Sequence, residues 1–210
     1  MADLYLASRS PRRRELLKQI GVRFEPLLIR LASPRAHDVD ELQHDGEPAD
    51  RYVERIAHEK AEHGVQVLAM RSLLPHPVLA ADTVLILDGE VLGKPVDKAQ
   101  ACAFLRRLSG RRHEVRTAVA LGLPGGSAMG QVPRVLRAVS VSTVTFRALE
   151  DGEIERYVAT GDPFDKAGGY GIQSLAGVFV ERLEGSYTGV MGLPLYETAH
   201  LLKQAGLSVV

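Results

Sequence analysis

The chain has 210 residues, enough for one domain or two small lobes with a sizeable hydrophobic core. Because 26 basic residues balance 26 acidic ones, no global field draws the chain to nucleic acid or to an anionic membrane, and we expect neither partner. One cysteine excludes an internal disulfide and a cysteine-based zinc site. The first 14 residues carry their charges after a short apolar piece, the reverse of a secretory signal, which predicts a cytoplasmic protein.

Short apolar runs and amphipathic segments alternate along the chain, which predicts an α/β fold. The predicted strands are 4–7, 77–87, 90–93, 113–121, 136–146 and 178–183. The predicted helices are 11–20, 48–63, 97–109, 153–158 and 194–204. Gly21 and Gly64 are interpreted as the residues that end the first two helices.

Two glycine-containing dipeptides decide the kind of sheet that we expect. Asp88-Gly89 and Glu184-Gly185 are typical of tight turns between antiparallel strands. Strands that alternate with helices favour parallel pairing in the rest of the sheet. The sequence therefore predicts a mixed β-sheet flanked by helices.

The segment SRSPRRR, residues 8–14, places three arginines in the first turn of the first predicted helix. The helix dipole disfavours cations at that end, so the repeated positive charge suggests that a polyanion binds there. Free backbone N–H groups and the hydroxyls of Ser8 and Ser10 also favour a phosphate at a strand-to-helix turn. A phosphate site is our interpretation, and a solvated basic turn is the alternative.

Lys60 occupies the apolar stripe of the second predicted helix. Tyr52, Ile56 and Lys60 recur every four residues, which places them on one face. A lysine on such a face either extends its stem to the surface or reaches inward to a buried anion. The sequence leaves both interpretations open.

Asp82 interrupts the almost continuously apolar strand 77–87. Because burying an unpaired carboxylate is costly, Asp82 must meet a cation, a metal ion or hydrogen-bond donors. Lys94 is the nearest candidate across the predicted hairpin, although a strict two-residue turn places it opposite Thr83 unless a bulge shifts the register. A structural Asp82–Lys94 pair and a carboxylate of a functional site are the two alternatives.

The segment DPFDKAGGYGIQ, residues 162–173, contains glycines at 168, 169 and 171. Glycine lets the backbone approach a ligand closely, and the amide of Gln173 offers both a donor and an acceptor to the edge of a nucleobase. A flexible loop without a ligand is the alternative.

Together these segments resemble the Maf family of nucleotide pyrophosphatases. The matching blocks occur in family order over nearly the whole chain and are LYLASRSPRRRELL, YVERIAHEKA, ADTVLILDGEVLGKP, LSGRRHEVRTAVAL, DKAGGYGIQ and GSYTGVMGLPLYET. DKAGGYGIQ resembles the branch that hydrolyses dTTP and UTP, whereas the branch acting on 7-methyl-GTP carries a serine-rich block there. The resemblance implies a mixed sheet in two lobes around a cleft, as one domain over residues 1–210.

The resemblance also implies a reaction, the hydrolysis of a nucleoside triphosphate to the monophosphate and pyrophosphate. In that reaction Asp82 is the proton acceptor, accompanied in the catalytic group by Lys60 and Lys94. Residues at positions tied to substrate choice or to the polar lining are Ser8, Arg12, Arg13, Thr83 and Gln173.

A divalent cation, Mg²⁺ or Mn²⁺, is the cofactor that the resemblance implies, with Glu41 and Asp82 as its ligands. Glu41 is assigned by its spacing to Tyr52, which is similar to the family's. Two alternatives stay open: the 7-methyl-GTP branch, and a non-enzymatic regulator of cell division. A homodimer also stays open, since the sequence does not give the oligomeric state.

Overall fold

The computed structural model of the chain describes residues 2–29, 39, 41–125 and 134–209. It has an α/β fold with one seven-stranded mixed sheet and flanking helices, which confirms the predicted fold class. The strands are β1 (Leu4–Leu6), β2 (Phe24–Pro26), β3 (Val78–Leu87), β4 (Glu90–Leu92), β5 (Arg112–Leu123), β6 (Arg134–Phe146) and β7 (Val180–Glu184). The α-helices are α1 (Pro11–Gln19), α2 (Ala49–Met70), α3 (Lys98–Leu108), α4 (Asp151–Ala159), α5 (Tyr187–Met191) and α6 (Leu195–Gln204).

The strands follow the order β2-β1-β3-β5-β6-β7, and β4 pairs with β3 beside this path. β1 pairs in parallel with β2 and β3, whereas β4 is antiparallel to β3 and β7 is antiparallel to β6. Both directions of pairing therefore occur, as the sequence predicts. None of the helices in the described ranges has the length and apolar content that a membrane span requires.

One of the two predicted hairpins is confirmed, and the other is wrong. Asp88 and Gly89 both have positive φ, 54° and 81°, and they return β4 along β3. This is the backbone that a two-residue hairpin turn requires. Glu184-Gly185 instead leads from β7 into α5, a short helix that was not predicted.

The predicted end of α2 at Gly64 is wrong, because the helix continues to Met70. A Cβ atom built at Gly64 would lie 2.6 Å from Cγ1 of Val78 in β3. Gly64 therefore serves the close approach of α2 to the sheet, and it does not end the helix. The helix continues beyond it because Val65, Val67 and Leu68 keep the apolar face buried.

The remaining predicted elements agree with the structure within a few residues. The structure also contains strand β2 over Phe24–Pro26, where no strand was predicted. With three residues and no apolar alternation it carries little signal in the sequence. The glycine- and proline-rich loop between the fourth and fifth predicted strands falls mostly on 126–133, outside the described residues.

The described chain divides into two compact units. Unit 1 comprises residues 1–82, 118–139 and 192–210, and unit 2 comprises 83–117 and 140–191, in each case within the described residues. The single domain over 1–210 and the cleft between two lobes stay predictions.

The core of unit 2 is rich in aromatic rings. Phe146 packs edge-on against Tyr170 and His113, with ring centroids 4.7 and 5.1 Å apart. The His113 Nε2 atom lies 2.7 Å from the hydroxyl of Tyr170, and burial lowers the pKa of His113 to about 4. A neutral buried ring thus anchors the glycine-rich segment through Tyr170.

In unit 1, α2 lies directly on the sheet at Gly122 of β5. A Cβ atom at Gly122 would lie 2.8 Å from the Ala61 carbonyl oxygen and 2.8 Å from Cγ2 of Val65. A main-chain oxygen inside the helix cannot move aside as a flexible side chain can. The glycine therefore sets the distance between β5 and the helix that carries Lys60.

We predict that Gly122→Ala lowers the free energy of unfolding by about 1–3 kcal/mol, because the methyl group overpacks this contact. Gly93→Ala is the matched control, since nothing lies within 4 Å of a Cβ atom at that position. Urea denaturation measures both variants. Equal midpoints for Gly122→Ala and the parent protein would show that the helix is not held at this distance.

Candidate active site

The turn between β1 and α1 is built by two serines. Ser10 has an extended backbone, and its Oγ accepts a hydrogen bond from the N–H of Arg13 at 3.4 Å, while Pro11 occupies the first helical position. Ser8 Oγ accepts from the N–H of Ser10 at 3.1 Å. The predicted start of the helix at residue 11 is confirmed, and the cap formed by Ser10 orients the first turn of α1.

The guanidinium of Arg13 is fixed by main-chain carbonyl groups. Its Nε donates to the Gly192 carbonyl at 2.7 Å, and Nη1 donates to the Ala81 carbonyl at 2.8 Å. Nη1 also lies 3.4 Å from Ser8 Oγ. Arg13 therefore fastens α1 to the residue that precedes Asp82 in β3.

The charges of both predicted metal ligands, Asp82 and Glu41, act on the pKa of Arg13. Burial lowers the pKa of Arg13, the charge of Arg12 acts in the same direction, and the charges of Asp82 and Glu41 oppose both. The net direction is a lowered pKa. Two arginines and two carboxylates therefore share one electrostatic environment in unit 1.

Lys60 reaches inward to a partly buried carboxylate and does not extend its stem to the surface, so the inward interpretation of its position is confirmed. The residue is 8% exposed, and its Nζ lies 2.9 Å from Asp82 Oδ1 and 2.5 Å from Glu41 Oε1. The Asp82 side chain is 19% exposed and that of Glu41 is 40% exposed. One ammonium therefore stands between two carboxylates.

Glu41 is held in place by side chains of α2. The Tyr52 hydroxyl donates to the Glu41 carbonyl at 2.8 Å, so the spacing on which Glu41 was assigned corresponds to a direct contact. Burial, together with the charges of Asp82 and Glu41, raises the pKa of Tyr52 to about 12. Arg55 adds a second anchor, since it donates to the Leu42 carbonyl at 2.8 Å and pairs with Glu47 at 2.7 Å.

The cation that Asp82 contacts is Lys60, and the alternative of a structural pair with Lys94 is not confirmed. Leu85 and Leu92 form the residue pair of the hairpin that is farthest from the turn. Lys94 lies beyond this pair and is exposed. A lysine on the helix packed over β3 therefore takes the position that hairpin spacing had suggested for Lys94.

Thr83 begins unit 2 and belongs to a chain of hydroxyl groups. Thr117 Oγ1 donates to the Gly189 carbonyl at 2.7 Å, and the two threonine oxygens lie 2.9 Å apart. Because Thr117 has one hydroxyl hydrogen, Thr83 is the donor between the two threonines. This orientation aims an acceptor lone pair of Thr83 away from Thr117.

The glycine-rich segment of unit 2 is a series of tight turns. Gly168 and Gly169 have φ of 66° and 76°, a backbone that favours glycine, and a Cβ atom at Gly168 would lie 2.3 Å from Leu85 Cδ1. The Gly168 N–H donates to the Gly93 carbonyl at 2.9 Å, which ties the segment to the residue before Lys94. Gln173 follows in a turn and is exposed. The segment is therefore ordered by contacts on both sides, and it is not an unstructured loop.

The donor atoms of Asp82 and Glu41 fit a small divalent cation. Mg²⁺ prefers carboxylate oxygens and is commonly held by one or two of them, with phosphates and waters completing the shell. The two carboxylates already converge on one positive charge, the Lys60 ammonium. Within the described ranges no group of three or more His, Cys, Asp or Glu side chains is arranged to hold a metal ion. A metal at this position would therefore depend on substrate oxygens.

The predicted site residues divide between the two units. Those that meet through contacts or shared charge in unit 1 are Ser8, Arg12, Arg13, Glu41, Lys60 and Asp82. Unit 2 holds Thr83, Lys94 and Gln173, and the convergence of Lys94 and Gln173 with Asp82 stays a prediction. Sequence reasoning missed the anchoring role of Tyr52, although its place on the stripe with Lys60 was a usable signal.

The fold and this cluster define the class of protein. The model of the family described as Maf-like protein matches residues 3–205, so the chain belongs to this family. A protein of Aromatoleum aromaticum named dTTP/UTP pyrophosphatase is 57% identical over 206 residues, which cover 98% of this chain and 96% of that protein. Proteins with the same name from Dechloromonas aromatica and Nitrosomonas europaea are 53% and 48% identical, over 97% and 98% of this chain and 97% and 96% of their own length.

We predict that Lys60→Met lowers the free energy of unfolding by about 3 kcal/mol, because it leaves two neighbouring carboxylates without their shared cation. Lys98→Met, at an exposed position of α3, is the control and should change stability by less than about 0.5 kcal/mol.

A double variant separates charge from packing. Lys60→Met/Asp82→Asn should recover part of the loss, because the second change removes the carboxylate that the first leaves unpaired. Strictly additive losses in urea denaturation would contradict the ion pair.

Proposed function

We propose that the chain is an enzyme, a nucleoside triphosphate pyrophosphatase that hydrolyses dTTP and UTP to the monophosphate and pyrophosphate. The observation that carries the proposal is the convergence of Lys60, Asp82 and Glu41 beside the basic turn of α1. The printed names of the relatives supply the substrates, at identities of 48–57% over nearly the whole chain.

The first turn of α1 is the proposed binding place of the phosphates. The helix has nine residues, and its N-terminus combines the positive end of the dipole with Arg12 and Arg13. Ser8 supports Arg13 from the preceding strand end. Phosphoryl transfer needs mainly positioning and stabilisation of negative charge, which this turn supplies.

Asp82 is the proposed proton acceptor for the attacking water. It stands in a regular strand of the core and is held at 2.9 Å by Lys60, so its carboxylate is oriented before the substrate arrives. A positioned carboxylate that removes the proton of water contributes roughly 10²–10⁴-fold to a rate. Lys60 and Lys94 are proposed to offset charge on the phosphates.

Glu41 and Asp82 are the proposed ligands of Mg²⁺ or Mn²⁺. Bound there, the ion would add positive charge next to the phosphates and so assist the cleavage. The residues of the chain contribute the geometry: Tyr52 and Arg55 hold the Glu41 segment on α2, and Lys60 balances the two carboxylates when no metal is bound.

Thr83 and Gln173 are proposed to select the base, together with Arg12. Uracil and thymine present an acceptor–donor–acceptor edge, which the glutamine amide can pair through one donated and one accepted hydrogen bond. Cytosine reverses two of these three features. We also place the reaction in the cytoplasm, where nucleoside triphosphates are available, while the homodimer stays an untested prediction.

Two other functions are outcomes of the same assays. A regulator of cell division without catalysis would release no pyrophosphate from any nucleotide. An enzyme of the 7-methyl-GTP branch would prefer that nucleotide to UTP and dTTP, and the names of the relatives do not favour this outcome.

We predict that Asp82→Asn lowers kcat for UTP by roughly 10²–10⁴-fold, because it keeps the size of the side chain and removes the proton acceptor. Asp88→Asn is the matched control in the turn that ends the same strand, where the positive φ suits asparagine. Pyrophosphate release and circular dichroism are measured together. Near-normal turnover in folded Asp82→Asn would remove Asp82 from the proposed mechanism.

We predict that Gln173→Ala narrows the preference for UTP over CTP about tenfold, because the bound base is proposed to cover the amide, and an unsatisfied group covered in this way costs about 1–3 kcal/mol. Gln66→Ala, at an exposed position of α2, should leave the preference unchanged. The ratio of kcat/KM for the two nucleotides is the measurement. If both substrates lose activity equally, Gln173 does not read the base.

A further inference from the structure

A buried lysine that contacts two aspartates lies in the glycine-rich segment and has no role in the reaction described so far. Lys166 is 8% exposed, and its Nζ lies 2.6 Å from Asp165 Oδ1 and 3.0 Å from Asp162 Oδ1. It also donates to the Asp162 carbonyl at 2.5 Å. All three donors of the ammonium therefore have an oxygen partner.

Asp162 is the centre of this network. Its Oδ2 accepts hydrogen bonds from the Tyr157 hydroxyl at 2.8 Å and from Ser174 Oγ at 2.7 Å. Burial raises the pKa of Asp162, but the hydrogen bonds from Ser174, Tyr157 and Lys166 outweigh it and hold the pKa below its ordinary value. One carboxylate therefore joins helix α4 to residues on both sides of the three glycines.

The network also fixes the main chain next to Gln173. Ser174 Oγ lies 2.8 Å from the Gly171 carbonyl, and the Ser174 N–H donates to the same carbonyl at 3.1 Å. A Cβ atom at Gly171 would lie 2.9 Å from Lys166 Cε, so the backbone there rests on the stem of the lysine. Gln173 is thus bracketed by two residues that the Asp162–Lys166 network holds.

We propose that Asp162 and Lys166 are positioning residues for base selection, which act by holding the main chain on both sides of Gln173. The inference rests on the proposed function, in which Gln173 reads the pyrimidine edge. A glutamine amide can rotate to pair with either uracil or cytosine, so discrimination requires that its orientation be held. A fixed main chain limits the positions from which the side chain reaches the base edge, and so limits the pairings that the amide can make.

The decisive variant is Asp162→Asn, which keeps the shape of the side chain and removes one of the two carboxylate charges that Lys166 contacts. We expect the UTP-over-CTP ratio of kcat/KM to fall about tenfold, with kcat for UTP within about threefold of the parent value. The change should appear mainly as a lower KM for CTP. The double variant Asp162→Asn/Gln173→Ala should show the ratio of Gln173→Ala alone, because Asp162 acts through Gln173.

Two further variants separate positioning from stability. Glu153→Gln disturbs a carboxylate of α4 that accepts two hydrogen bonds of 2.7 Å from Arg147, so it should lower thermal stability without moving the ratio. Ser174→Ala keeps the ion pair and removes one hydrogen bond, so it should move the ratio in the same direction as Asp162→Asn but less. It carries the test if Asp162→Asn does not fold.

Three results would overturn the inference. An unchanged ratio in folded Asp162→Asn, or in Ser174→Ala if the first does not fold, would contradict it while the proposed function stands. A double variant with a lower ratio than Gln173→Ala would show that Asp162 does not act through Gln173. A parent enzyme without preference for UTP over CTP would instead overturn the proposed reading of the base, and this inference with it.

Discussion

The site in unit 1 depends on one interaction, the ion pairing of the Lys60 ammonium with the carboxylates of Asp82 and Glu41. The ammonium is buried between these two carboxylates, at 2.9 and 2.5 Å. Two neighbouring carboxylates repel each other, and a carboxylate in a core strand is costly without a counter-charge. Lys60 removes both obstacles, so β3 can carry an acidic group at the place where chemistry is proposed.

Helix α2 is the element that makes this arrangement possible. Gly64 and Gly122 let the helix approach β3 and β5 closely, which brings the lysine within reach of the strand. On the same helix, Tyr52 and Arg55 hold the segment that contains Glu41. One helix therefore positions a cation and an acidic residue together, and a phosphate-transfer site needs both to be placed before the substrate binds.

Local sequence signals predicted the secondary structure correctly where residues adjacent in the chain decide it. Helix α1 begins at Pro11 as predicted, and Asp88-Gly89 forms the predicted hairpin, because short-range geometry decides both. Gly64 was misjudged because its role depends on Val78, a residue of another element. The sequence pattern placed Lys60 on the correct face of its helix and left open that it contacts an anion. It did not identify Asp82 as that anion, because Asp82 belongs to another element. The hydrogen-bond network of Asp162 could not be predicted either, because hydrogen bonds between separated turns leave no periodic pattern in the sequence.

The identity of the products is the most direct test of the proposed enzyme. Incubation of the full chain with UTP and Mg²⁺, followed by ³¹P nuclear magnetic resonance, distinguishes the two ways of cleaving the triphosphate. We expect UMP and pyrophosphate in equal amounts, because the site is proposed to act on the bond between the α and β phosphates. Formation of UDP and inorganic phosphate would contradict that assignment, and absence of turnover with every nucleotide would contradict catalysis itself.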